Sequence, residues 1–124
     1  MSRRFRSCAV NALIGIDVRI QSDTIKDVPY RVLQTETFAA WHGSLRDMRA
    51  KVAIARRIER IEAGTLGDVK SLGGAVSELR FDIGPGYRLY FTMRKRVVVI
   101  LLCGGDKRTQ RADISRARKM AEEV

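Results

Sequence analysis

The sequence predicts an α+β domain: a small, mainly antiparallel sheet, with two N-terminal helices and one C-terminal helix packed on it. Three observations carry this expectation. Residues 78–103 contain two short alternating stretches joined by Gly84-Pro85-Gly86, then an apolar run from Val97 to Cys103, the pattern of strands and a turn. Residues 45–61 instead repeat their apolar positions at steps of three and four, the period of a helix. From Thr109 to Val124 the same period returns in a narrower stripe of Ile114, Ala117, Ala121 and Val124, whose small alanines suit close packing on a sheet.

Residues 1–28 stand apart as an N-terminal extension. Met1 to Arg6 is basic, and Cys8 to Ile16 is mildly apolar but broken by Asn11 and Gly15. The run is short and lacks a small-residue cleavage site, which argues against an export signal. A loose tail, an extra strand at Ile16–Ile20, or translation from a start codon upstream of the true one accounts for it better. The domain itself is expected over residues 29–124. Pro29 to Gln34 reads as a strand with proline at its first position. Thr35 then caps a helix that carries Phe38 and Trp41 toward the core, with His42 at its end.

Ser44 and Asp47 form a capping-box pattern at the start of a longer helix reaching about Ala63. Its expected apolar stripe is Leu45, Met48, Val52, Ala55, Ile58 and Ile61. Arg46, Arg49, Lys51, Arg56, Arg57 and Arg60 cover much of the rest, and Gly64 stops the helix. Gly67 to Leu72 reads as a short strand, turned by Gly73-Gly74 into the strand near Val76. Gly104-Gly105 is expected to turn the apolar strand into the final helix.

The chain has 124 residues, enough for one modest core, and its 45% hydrophobic and 31% charged residues describe a globular protein. Its formal charge of +10 favours polyanionic partners, nucleic acid above all, or an acidic protein that covers the charge. No run approaches the ~18 apolar residues of a membrane span. Cys8 and Cys103 have no metal or redox spacing, and such sparse cysteine fits a reducing cytoplasm. There is no P-loop, repeat or metal-spaced cluster, so no cofactor and no metal is expected.

Strand parity points to the candidate site. Leu79, Phe81 and Ile83 share one face with Leu89, Phe91 and Met93, while Glu78, Arg80 and Asp82 share the other with Arg88 and Tyr90. If the apolar set is buried, Arg80, Arg88 and Tyr90 stand on an open face, with Lys107 and Arg108 at its rim. Guanidinium forks match phosphate oxygens, and a phenol can stack or transfer a proton. The alternative is a solvated sheet face with ordinary charges. Arg46, Arg49 and Arg56, with Arg108, are candidates for contact along an RNA backbone. His42 is the only histidine, which excludes a two-histidine acid and base pair, and a lone histidine on a short helix is more often structural.

From Tyr30 onward the chain resembles the RelE/ParE superfamily of bacterial toxins, in its HigB-like addiction module killer group. The resemblance rests on FAAWHGSLRD (38–47), ARRIERIEAGTLGDVKSL (55–72), VSELRFDIGPGYRLYF (76–91) and LLCGGDKRTQRADI (101–114), in that order. It implies a RelE-like fold and a cytoplasmic toxin of a type II toxin–antitoxin pair, an endoribonuclease that cleaves mRNA on the ribosome. It also implies a cognate antitoxin, HigA-like with a helix-turn-helix. By motif position Arg88 matches the superfamily's strand arginine and Arg80 a basic position on the preceding strand, with Lys107 in the basic turn after the last strand. Tyr90 stands in for a tyrosine that some relatives carry later, where this chain has only Asp113. Two rivals are a ParE-like toxin that poisons gyrase by binding, and a nucleic-acid-binding domain without catalysis.

Overall fold

The computed structural model describes residues 5–7 and 29–124. Five strands form a mostly antiparallel sheet: β2 (Arg31–Thr35), β3 (Lys70–Gly73), β4 (Val76–Phe81), β5 (Tyr87–Arg94) and β6 (Val98–Asp106). A three-residue strand, β1 (Phe5–Ser7), adds to the edge of β2, giving the lateral order β1-β2-β6-β5-β4-β3. The pair β2–β6 is parallel and every other pair is antiparallel. The strand expected at Ile16–Ile20 lies outside the described residues.

Helices α1 (Glu36–Ser44) and α2 (Met48–Glu62) cover one face of the sheet, and α3 (Gln110–Glu123) covers part of the other. Thr35 caps α1 as expected: its hydroxyl accepts from Phe38 N at 3.0 Å and donates to Leu102 O at 2.7 Å, tying the helix start to β6. Ser44 does not cap α2. Its hydroxyl donates to Trp41 O, and Asp47 is the cap, accepting from Arg49 N and Ala50 N at 3.1 and 3.2 Å. A carboxylate at the helix start also suits the helix dipole, which explains why it displaces the serine.

The expected face of Leu79, Phe81, Leu89 and Phe91 is buried beneath α1 and α2, with Val32, Phe38, Ile54 and Ile61 completing the core. Two members of the expected α2 stripe are elsewhere. Met48 is 63% exposed and Val52 43%, because the buried track runs through Ala50, Ile54, Ile58 and Ile61. The opposite face is not open along its length. Tyr90, Val76, Ile100, Leu102 and Cys103 pack with Ala117 of α3 into a second core, and Tyr90 is 0% exposed. A register shift between Tyr90 and Phe91, which pair with Cys103 and Leu101, places Leu102 as an extra residue in β6.

The expected Gly104-Gly105 turn is also corrected, since both glycines continue β6 as far as Asp106. What requires glycine there is close approach rather than bending. A Cβ on Gly104 would run into the Trp41 ring, and one on Gly105 into the Asp113 carboxylate. Gly104→Ala is therefore expected to destabilise the fold by about 2 kcal/mol through overpacking. Urea unfolding followed by the fluorescence of Trp41 checks this, and an unchanged midpoint would show that the helix gives way freely.

Candidate functional site

The hairpin of β4 and β5 places the two candidate arginines together. Gly84 and Gly86 adopt φ of 55° and 82°, left-handed values that let the chain reverse tightly, and the resulting register sets Arg80 directly across from Arg88. Like charges so placed repel. A carboxylate on the same face offsets this: Glu78 accepts from Arg80 Nε at 3.1 Å through Oε1, while Oε2 lies 3.7 Å from Arg88 Nε and accepts from Gln110 Nε2 at 2.9 Å. The Glu78 side chain is wholly buried, whereas that of Arg80 is 50% exposed and that of Arg88 10%. Glu78 thus hydrogen-bonds the Arg80 guanidinium and pairs by charge alone with that of Arg88, whose buried Nε has no hydrogen-bond partner among the described residues, and Gln110 brings α3 into the same cluster. Strand parity places Glu78 on this face but assigns it no role. Its parity with the two arginines, which Asp82 shares, was the available signal.

The end of β6 supplies the remaining charges through a 3-10 turn, Lys107–Thr109. Asp106 Oδ1 accepts from Arg108 N at 2.8 Å and Thr109 N at 3.3 Å, while Thr109 Oγ1 accepts from Asp106 N at 3.3 Å, a reciprocal cap. Burial acts to raise the Asp106 pKa, but hydrogen bonds from the Arg108 side chain and backbone and from Thr109 outweigh it and hold the carboxyl below its ordinary value. A Cβ added to Gly86 would sit 3.7 Å from Lys107 Cβ and 3.8 Å from Arg88 Nη1, so these two side chains flank one small gap. The Arg108 guanidinium turns to Asp106 Oδ2 at 3.3 Å. Among the described residues Arg80 and Arg88 pair with Glu78 and Arg108 with Asp106, while Asp82 and Asp68 line the same pocket as Arg80 and Glu78, and Lys107 adds a further cation beside Arg88.

Tyr90 lies below this cluster rather than in it. Its hydroxyl is buried without a hydrogen-bond partner, and burial, reinforced by the charge of Glu78, pushes its pKa well above the ordinary range. A phenol so enclosed neither stacks on a base nor exchanges a proton with bound substrate. Cys103 beside it is likewise a core residue, its thiol pushed up to about 11 mainly by burial. His42 is on the α1 side of the sheet, its Nε2 within 3.0 Å of Lys51 O and its ring stacked on Phe38 at 5.9 Å. Arg46, Arg49 and Arg56 are exposed, but they belong to α2 and the loop before it and do not join the arginines of the hairpin. Among the described residues no group of three or more His, Cys, Asp or Glu side chains could hold a metal ion, and no helix is long and apolar enough to cross a membrane.

Residues 44–123, which include the whole hairpin cluster, match the family model described as phage derived protein Gp49-like (DUF891). The chain is also 46% identical over 94 residues to an uncharacterized protein of Haemophilus influenzae, covering 76% of this chain and 95% of the relative. No solved structure matches. The Gp49-like family is a toxin-like family of toxin–antitoxin systems, which implies a cognate antitoxin as partner. With the model spanning well over half of its length, and a near-complete relative beside it, this chain belongs to the Gp49-like (DUF891) family.

Proposed function

We propose that the chain is the RelE-type, HigB-like toxin of its pair, a cytoplasmic, metal-independent endoribonuclease that cleaves mRNA on the translating ribosome. The observation that carries this reading is the cross-strand pair Arg80–Arg88, anchored by buried Glu78 and adjoined by Lys107. RNA cleavage of this kind has the 2′-oxygen attack the adjacent phosphorus while the bond to the 5′-oxygen breaks, leaving a 2′,3′-cyclic phosphate and a 5′-hydroxyl. The phosphorane formed on the way carries extra negative charge. Arg88 and Arg80 stabilise it, each such contact being worth roughly 3 to 4 kcal/mol in favourable cases. Lys107 donates its proton to the departing 5′-oxygen, and the 2′-hydroxyl proton passes to water. With Tyr90 enclosed, the reading rests on charge stabilisation and on the ribosome orienting the RNA.

Induction in cells with mapping of RNA ends tests it. New 5′ ends within translated messages are expected within minutes of induction, and a folded His42→Ala variant should produce the same ends. Intact messages accompanied by DNA damage would replace this reading with gyrase poisoning of the ParE kind. Intact messages and intact DNA would leave a binding domain.

A further inference from the structure

The two apolar residues that α2 turns outward, Met48 and Val52, stand one helical turn apart and do not lie on an open convex surface. With Phe81, the last residue of β4, and Ile83 just beyond it, they line a groove of about 660 Å³. Arg49, Arg56 and Arg60 line the same groove. Arg57 is committed to the fold, donating to Asp68 O at 3.0 Å with its guanidinium 5.9 Å from the Phe81 ring centre. Apolar side chains at i and i+4 beneath a cationic rim complement a helix with an apolar stripe and acidic flanks.

We propose that this groove is the docking site for an acidic amphipathic helix of the partner antitoxin. The inference rests on the family's implication of such a partner and adds where and through what chemistry it binds. RNA fits the groove less well. Phe81 is only 7% exposed, so there is no aromatic face for a base to stack on, and the floor offers methyl and thioether groups where a phosphate chain needs donors. Arg49 and Arg56, expected from sequence to follow an RNA backbone, take carboxylates in this proposal. Phe81 and Arg80 point to opposite faces of β4, so the groove and the arginine cluster are separable by mutation.

The test uses the full chain, ¹⁵N-labelled, and a helical peptide of about 20 residues with Leu at every third and fourth position and Glu beside them. A peptide of the same composition with the stripe scrambled is the control. The ordered peptide should shift the amides of Met48, Val52 and Ile83. Its affinity should exceed that of the scrambled one by roughly tenfold or more, and Val52→Glu should remove that advantage. Val52 is exposed, so the variant should fold, which circular dichroism confirms. Equal binding of both peptides, no binding, or shifts confined to other surfaces would overturn the proposal. So would displacement of the ordered peptide by single-stranded RNA that shifts the same amides. In cells, Val52→Glu should still inhibit growth yet escape neutralisation by the co-expressed antitoxin. Loss of growth inhibition in the wild-type chain would instead count against the toxin reading, while the peptide result would still decide the groove.

Discussion

Arg88→Lys is expected to remain folded and to lose growth inhibition. Lysine keeps a positive charge for the buried Glu78 carboxylate but offers a single point donor where arginine presents a planar fork, so phosphate recognition suffers while the ion pair persists. Loss of one preorganised contact of this kind lowers a rate by about 10²–10³-fold. Arg88→Ala is a poorer experiment, since it strips a buried carboxylate of one partner and mixes instability with inactivity. Arg80→Ala should weaken inhibition without abolishing it, because Arg80 is half exposed and Glu78 keeps both Arg88 and Gln110. Growth curves after induction, with circular dichroism of the purified variants, give the answer. A folded Arg88→Lys protein with full toxicity would remove Arg88 from the mechanism.

Glu78→Ala should have the largest effect on the fold of any single change at the cluster. Truncation leaves Arg88, whose side chain is 10% exposed, without its counter-ion, and releases Gln110 of α3 from its acceptor. Breaking a buried pair in this way costs about 3–5 kcal/mol. In a chain of this size that lowers Tm by roughly 10–15 °C. Glu78→Gln keeps the shape and an acceptor oxygen, so it should be milder and fold at reduced temperature. It should nevertheless stay inactive there, because a neutral amide no longer holds two guanidinium groups apart and aligned. Thermal unfolding separates the two effects from toxicity. A Glu78→Ala variant as stable as wild type would show that solvent, rather than this carboxylate, balances the arginines.

Local chemistry made much of the fold legible. The Thr35 cap, the glycine reversals at 84–86 and 73–74, and the parity that sets Arg80 beside Arg88 depend on neighbours in the chain and are found where short-range rules put them. The misreadings arose where a distant element decided the outcome. Helix α2 carries two apolar tracks that merge at Ile58 and Ile61, and periodicity has no means of telling which one meets the sheet. The structure buries Ala50 and Ile54 and leaves Met48 and Val52 outside. Tyr90 has the right parity for the arginine face, yet α3 closes over that part of it. Gly104-Gly105 resembles a turn by composition and is glycine because Trp41 and Asp113 press on a straight strand.

The parallel pairing of β2 with β6 also bears on how the molecule comes into being. Thr35 must wait for Leu102, 67 positions later, before its bridging hydrogen bond can form, and the strands between them pair progressively nearer the far end of the chain. Contacts so distant in sequence form late, because the intervening segment has to be ordered first. During synthesis, α1 and α2 emerge with no sheet to lie on, and the guanidinium pair lacks the Gln110 contact until α3 has been translated. The cationic cluster is therefore complete only when almost the whole polypeptide has emerged.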